Sequence, residues 1–463
     1  MDTRSFDVIV IGAGPAGEVA AGRLGAAGLE VAIVERELIG GECSYYACMP
    51  SKGLLRPAEA LAETRRIPGA AEAVTGDIDV EAVFKRRDEI VHDLDDSSQL
   101  PWLEKRDIAL VRGHGRLAGE RRVEVDGETL EARRAVIVAT GTTALLPPVP
   151  GLEAAQPWTN RRATTGSTVP GRLIVLGAGP VGSEMAQAYR SLGAQVTLVE
   201  GGPHVLGREE PYAGAQVQAA MEDEGIDVRT GVKATKVVRE EAAGPVTVEL
   251  DDGSSIEADE LLCALGRRLL TDDLGLETVG LEPGRPIEVG DDLRVAGHDW
   301  LFAIGDVNGR IQLTHMGKYQ ARIVADRLLG KEHPLRSDGA QSPRVTFTAP
   351  QVAAVGFTLD GAADAGFDAF CVEAETSGNA GGSFYGRNVA GTTRMVVECG
   401  TNRILGTTLV GAEVADFLHA ATVAVSAQLT MDQFWHAVPA FPTRSEVWLN
   451  LVEAWERETA PTT

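Results

Sequence analysis

Short runs of Val, Ile and Leu, broken by glycine, recur along the 463-residue chain, and two stretches follow one pattern: FDVIVIGAGPAGEVAAGRLGAAGLEVAIVE (6–35) and GRLIVLGAGPVGSEMAQAYRSLGAQVTLVE (171–200). Each predicts a buried strand, a Gly-x-Gly-x-x-Gly turn, an Ala-rich helix closed by a glycine, and a second buried strand ending in Glu. From the first glycine to that Glu the span is 23 residues in both copies, 12 to 35 and 177 to 200. Such glycines let the backbone approach a pyrophosphate, the helix N-terminus carries its charge, and the acid meets a ribose hydroxyl. Glycines that merely allow tight strand–helix packing would explain one copy, but they explain two matched copies poorly.

The repeat extends further. RVEVDGETLEARRAVIVATG (122–141) alternates like strands and hairpins and ends in a buried strand opening on Gly141, and VTVELDDGSSIEADELLCALG (246–266) does the same after the second copy. LLPPVPG (145–151) reads as a linker. From residue 341 strands such as RVTFTAPQVAAVGF give way to EVADFLHAATVAVSAQL and the aromatic helix SEVWLNLVEAWERE. The predicted fold is α/β: two Rossmann-like dinucleotide-binding domains and a C-terminal α+β domain, divided as 1–148, 149–270, 271–340 and 341–463, with the third segment returning to the first domain.

A net charge of −24 with no basic block argues against nucleic acid as a partner. The start, MDTRSFDVIVIGAGPAG, lacks a signal-peptide pattern and its apolar run is too short for a membrane span, so a cytoplasmic protein away from membranes is expected. In a reducing compartment five cysteines are no disulfide framework, and a close pair is more often catalytic or metal-binding. That directs attention to GGECSYYACMPSK (40–52). On a regular helix, residues five apart lie about 140° round the axis and about 7.5 Å along it, which takes their Cα atoms past the ~7 Å limit for a disulfide. If Cys43 and Cys48 bond, the chain between them is irregular. The working species must be a thiolate, which a helix N-terminus and a nearby cation favour.

With these segments in this order, and with LFAIGDVNG, QLTHMGKYQAR and FPTRSE further on, nearly the whole chain resembles the class I pyridine nucleotide-disulfide oxidoreductases, the family of dihydrolipoamide dehydrogenase, glutathione reductase and mercuric reductase. The resemblance implies FAD on the first unit, NAD(P)H on the second, and a homodimer whose C-terminal domain, the dimerisation domain, completes the partner's active site. It implies that Gly12, Gly14, Gly17 and Glu35 hold the ADP half of FAD, that Asp306 meets its ribityl or phosphate region, and that His114, Thr140, Gly141, Gly266 and His315 belong to the cofactor surroundings, His315 through its backbone. Gly177, Gly179, Gly182 and Glu200 are expected to hold the nicotinamide nucleotide. Glu200 favours NADH, because an acid there pairs with a free 2′-hydroxyl and repels a 2′-phosphate, while Arg208 nearby keeps NADPH open. Cys48 is implied to be the sulfur on the flavin, Cys43 the one that exchanges with substrate, and Lys52 a neighbour of the flavin N5 paired with Glu184.

The family's His-Pro-Thr-x-x-Glu motif is AFPTRSE here: Glu446 matches, but Phe441 stands where the proton-transferring His belongs. A positioned acid–base group is typically worth about 10²- to 10⁴-fold, so efficient reduction of an ordinary disulfide is placed in doubt. His436, Tyr45 or Tyr46 could substitute, or the acceptor could need no such acid, as with a quinone or a metal ion. The ending WERETAPTT, without a cysteine pair, speaks against a strict mercuric reductase, and no histidine spacing supports a bound metal. The expected activity is electron transfer from NAD(P)H through FAD and Cys43/Cys48 to a small acceptor, foremost an atypical disulfide or thiol-linked substrate. The alternatives are a quinone reductase or diaphorase, a metal-ion reductase, and, in another class, a redox-sensing or assembly subunit.

Overall fold

The computed structural model describes residues 4–242, 244–387, 389 and 391–460. The first repeat folds as β1 (Arg4–Ile11), α1 (Pro15–Ala26) and β2 (Val31–Glu35). The cysteine stretch follows as α2 (Gly41–Tyr45) and α3 (Cys48–Arg66), then α4 (Leu100–Glu104), β3 (Ile108–Arg112) and β4 (Glu128–Val138). The second repeat is β5 (Arg172–Leu176), α5 (Pro180–Ser191) and β6 (Gln195–Glu200), and later come β7 (Leu301–Ala303) and α6 (Thr314–Leu328). The chain divides into two compact units, one of Met1–Pro50, Arg86–Leu145 and Arg267–Gly339, the other of Ser51–Lys85, Leu146–Gly266 and Ala340–Thr463.

In the first unit the parallel strands run in the order β3, β2, β1, β4, with β7 on β4 and the hairpin strands Arg122–Val125 and Gly115–Leu117 extending the far side. Both faces of this sheet are covered. Val8, Val10, Ile33 and Ile137 pack with Leu24 of α1 and Val324 of α6, while Ile9, Ile11, Val34 and Val136 pack with Leu117 and Trp300. Burial on both faces is why the strands read as continuous apolar runs. The second unit repeats the motif as a four-stranded parallel sheet, Asp227–Thr230, β6, β5 and Glu260–Cys263. It adds an antiparallel three-stranded sheet (residues 234–258) and, from residue 344, a five-stranded antiparallel sheet whose core includes Trp448, Leu451 and Trp455 of the last helix, Glu446–Thr459. The α/β reading with a C-terminal α+β part is the fold observed.

The two glycine turns match atom for atom. A Cβ on Gly17 would lie 1.9 Å from the Gly12 carbonyl oxygen, and one on Gly182 1.8 Å from that of Gly177. Gly12 and Gly177 take φ of +103° and +96°, closed to most side chains. Gly14 differs: a Cβ there meets nothing within 4 Å, leaving room above the first turn of α1. Gly17→Ala is therefore expected to destabilise the first unit by about 1–3 kcal/mol, since backbone cannot yield as a side chain does, and Gly14→Ala to leave the thermal midpoint close to wild type. Thermal denaturation of both variants checks this.

Candidate active site

Each strand-end acid closes its own glycine turn. The Ala13 N–H donates to Glu35 Oε2 at 2.7 Å and the Glu37 N–H to Oε1 at 2.7 Å. In the second unit the Ala178 N–H donates to Glu200 Oε2 at 2.7 Å and the Gly202 N–H to Oε1 at 2.6 Å. The acids thus brace the loops, and each carboxylate oxygen keeps a lone pair for a hydroxyl. Beside Glu35 opens a cavity of about 260 Å³ whose lining includes Gly12, Arg36, His114, Thr140 and Arg268. His114 Nε2 lies 2.8 Å from the Asp273 carbonyl, and Thr140 Oγ1 donates to the Leu270 carbonyl. An adenosine fits this arrangement: an open cradle at Gly14, orphan N–H groups at the α1 N-terminus, and a braced acid beside a cavity.

Asp306 is buried. The Thr142 hydroxyl donates to its Oδ2 at 2.6 Å and itself accepts from Arg267 Nε at 2.6 Å. Burial pushes the Asp306 carboxyl up, and the Thr142 hydroxyl and the Arg267 charge pull it back. Arg267 Nη2 also lies 3.7 Å from Glu42 Oε1, which ties this network to the residue before Cys43. Gly141 takes φ +70° beside Thr142, Gly266 takes φ +123° at the end of the second unit's segment Leu146–Gly266, and His315 is the second residue of α6.

The helix is broken between the cysteines. Gly40, in the left-handed region at φ +111°, starts α2; Tyr46, at φ −132° and ψ 0°, ends it; and Cys48 is the first residue of α3. The break brings Cys43 Sγ to 2.6 Å from Cys48 Sγ. Cys48 Sγ is 3.5 Å from the hydroxyl of Thr314, the first residue of α6. The hydrogen bond to Cys48 pushes the Cys43 thiol strongly up, with burial and the Cys48 charge adding to it. Cys48 stands at a helix N-terminus, a position that favours a thiolate.

In the second unit Lys52 Nζ donates to Glu184 Oε2 at 2.7 Å and lies 4.6 Å from the centre of the Phe347 ring. Glu184, 5% exposed, also accepts from the Phe347 N–H at 2.9 Å. The buried carboxylate is thus paired and hydrogen-bonded, as burial demands. Phe441 is 76% exposed, and Glu446 opens the last helix with a buried Oε2 that has no partner among the described residues. Of the substitutes weighed for the missing His, Tyr45 is buried with its hydroxyl pushed up to about 12, mainly by burial, and so stays protonated near neutrality. His436 stacks edge-on against Trp435. No group of three His, Cys, Asp or Glu suited to a metal occurs among the described residues, and no helix among them is long and apolar enough to cross a membrane.

The sequence reading passed over the Thr142–Arg267–Glu42 network, Thr314, and Glu18 with Lys318. Only Glu18 had a local signal, a carboxylate in the first turn of a glycine-loop helix. Burial pushes its carboxyl from 4.5 up to about 7, with Lys318 opposing and Glu35 adding.

Paired glycine turns, a braced acid beside each, and a cysteine pair at a helix N-terminus define a dinucleotide-dependent dithiol oxidoreductase. The chain belongs to the pyridine nucleotide-disulphide oxidoreductase family, which it matches over residues 6–321, with that family's dimerisation domain over 342–452. It is 32% identical to a dihydrolipoyl dehydrogenase of Rhizobium etli, covering 96% of each chain, and 28% identical to a mercuric reductase of Lysinibacillus sphaericus, covering 96% of this chain and 81% of that one. Among solved structures, LpdA from Mycobacterium tuberculosis superposes with a TM-score of 0.85 at 25% identity, over 99% of this chain and 100% of that one. The HOCl-induced flavoprotein disulfide reductase RclA from Escherichia coli, at 24% identity and a TM-score of 0.84 over 96% and 99%, shares the fold. The protein is thus a FAD-containing, NAD(P)H-using disulfide oxidoreductase.

The Glu18 carboxyl holds its proton more tightly folded than unfolded, so its contribution to stability is present below about 4.5, falls as pH rises from there to about 7, and is level above. Glu18→Gln is expected to gain stability relative to wild type across that window. Urea midpoints of both proteins at pH 5 and pH 8 measure the difference.

Proposed function

We propose that the enzyme reduces a small disulfide of which at least one thiol is acidic, with Cys43 as the exchanging sulfur. The carrying observation is the 2.6 Å separation of Cys43 and Cys48 Sγ across the helix break, with Cys48 beside the Thr314 hydroxyl. Bound FAD supplies the hydride chemistry between the nicotinamide and the cysteine pair. Glu35, Gly12, Gly14 and Gly17 would hold its ADP half, with His114, Thr140 and Gly141 nearby and Asp306 toward the ribityl chain. Gly177, Gly179, Gly182 and Glu200 would hold the nicotinamide nucleotide, and Glu200 favours NADH. Lys52, fixed by Glu184, supplies a positioned positive charge, and the chain acts as a homodimer in the cytoplasm.

In the dithiol state Cys43, losing its proton, attacks one acceptor sulfur. A Cys43–substrate bond forms, the acceptor S–S bond breaks, and the first thiolate leaves, taking up the proton. Cys48 then attacks Cys43 Sγ, closing the Cys43–Cys48 disulfide and releasing the second thiolate, which takes a proton from solvent. Phe441 can donate neither proton, so leaving groups that depart unprotonated are preferred.

A second reading, reduction of a quinone or metal ion, is favoured by the exposed Phe441 and by relatives named mercuric reductase. The two readings part on Cys43→Ser, which is expected to abolish NADH-driven reduction of 5,5′-dithiobis(2-nitrobenzoate). If most of that activity survives, the disulfide reading fails and direct transfer to other acceptors takes its place. Anaerobic titration with NADH is expected to raise a broad long-wavelength band at two electrons per flavin; bleaching without it means the cysteines are bypassed. Phe441→His should raise dihydrolipoamide oxidation by about 10-fold or more; no rise at all refutes this account of position 441.

A further inference from the structure

Between β2 and the cysteine helix α2 runs a short loop, residues 36–40, and a buried acid from elsewhere in the first unit holds it. Ile39 is fully buried among core residues that include Val8 and Leu24, so its N–H is cut off from water and needs an acceptor. Asp96 supplies one: the Ile39 N–H donates to its Oδ2 at 2.8 Å. Arg112 Nη2 donates to the same oxygen at 2.6 Å, and Arg112 Nη1 donates to the Glu37 carbonyl at 2.6 Å. Asp96 is 9% exposed, and the chemistry described so far does not use it.

The chain reaches this acid through strained backbone. His92, Asp93 and Leu94 take φ of 51°, 52° and 60° in succession, the left-handed region that L side chains visit singly and seldom as a run. The turn is closed by the Leu94 N–H on the Val91 carbonyl at 3.0 Å and the Asp95 N–H on the His92 carbonyl at 2.9 Å, and Asp96 follows directly. Strain of this kind persists where the surroundings over-determine it, and it gathers at functional places.

What Asp96 holds lies between the first acid and the sulfurs. Arg112 is the residue opposite Glu35 in the β2–β3 ladder, and Glu35 already accepts the Glu37 N–H. Gly40, the neighbour of Ile39, donates its N–H to the Ala13 carbonyl at 2.8 Å and opens α2, which carries Cys43. The charge of Asp96 is felt on α2 itself: after burial, it is the next influence raising the Tyr45 hydroxyl. The entry to α2 is therefore pinned by the first glycine turn on one side and by Asp96 on the other.

We infer that Asp96, braced by Arg112, is a positioning residue for the redox pair: it fixes the Ile39–Gly40 peptide and with it the approach of Cys43 to Cys48. The inference rests on the proposed function only in taking these two sulfurs as the working pair. A pinned α2 gives Cys43 a high effective concentration at Cys48, which favours their disulfide over the dithiol. A loosened α2 makes that disulfide easier to reduce.

The test equilibrates holoenzyme anaerobically with dithiothreitol buffers and counts alkylated thiols on the peptide bearing Cys43 and Cys48 by mass spectrometry, so that no acceptor enters. Asp96→Ala leaves the Ile39 N–H without its acceptor and is expected to shift the equilibrium about 10-fold toward the dithiol, about 30 mV for a two-electron couple. Asp96→Asn keeps a carbonyl oxygen for that N–H and is expected to stay within about 2-fold of wild type. An unchanged equilibrium in Asp96→Ala, or an equal shift in Asp96→Asn, overturns the inference, because a residue that only stabilised the unit would lower thermal midpoints without moving the potential. Should Asp96→Ala fail to fold, Arg112→Met is read instead, at a side chain 42% exposed. A shift in the same direction supports the inference, and none overturns it. A shifted equilibrium in Asp96→Ala, together with no reduction of any disulfide by the wild-type enzyme, supports the positioning role and refutes the disulfide reading.

Discussion

A continuous helix through residues 41–66 would hold Cys43 and Cys48 on different faces and too far apart along the axis to meet. The redox chemistry therefore depends on the interruption at Tyr46, and the interruption depends on packing. Gly40 enters α2 in the left-handed region, and Gly41 sits so close to the first glycine turn that a Cβ would be 2.9 Å from Gly14 Cα. The loop that carries the sulfurs is thereby seated on the first glycine turn. Restarting the helix at Cys48 also puts that sulfur in a first turn, where the backbone field favours its charge.

The duplicated acids show how one side chain serves structure and binding together. Glu35 and Glu200 each accept two backbone N–H groups, one from the glycine turn and one from beyond the strand. A carboxylate so held is preorganised for a ribose hydroxyl, and the turn is held at the spacing a pyrophosphate requires. The same economy appears at Thr142, whose hydroxyl donates to Asp306 and accepts from Arg267, an arginine that also reaches toward Glu42.

Two kinds of cation divide the electrostatics. Lys52 is matched to a nearly buried Glu184 that has no other ionic partner among the described residues and also takes a backbone N–H, so removing the lysine would leave an unpaired charge in a poorly solvated place. Among the described residues Lys318, Arg322 and Arg106 have no such partners, and they line open space. In an acidic chain the first arrangement holds a structure together.

Both strand–turn–helix–strand units, their closing acids and the α+β character of the C-terminal part were legible from residue order, because apolar periodicity, glycine spacing and turn chemistry are local. The cysteine spacing likewise announced an irregular backbone, and Phe441 announced a missing proton donor, because helix geometry and side-chain chemistry need no coordinates. What lay beyond reach joins residues far apart in sequence: Cys48 with Thr314, Asp306 with Thr142 and Arg267, Lys52 with Phe347, and the cleft that collects Glu18, Trp102, Lys318 and Arg322. The raised Glu18 carboxyl belongs to this group too, since burial and the neighbouring Lys318 exist only once α1 and α6 pack. Covalent order determined which groups this protein carries and the local shapes they take; only tertiary packing decided which charges are paired, which are desolvated and which are left facing a cavity, because those depend on distances through space between separate elements.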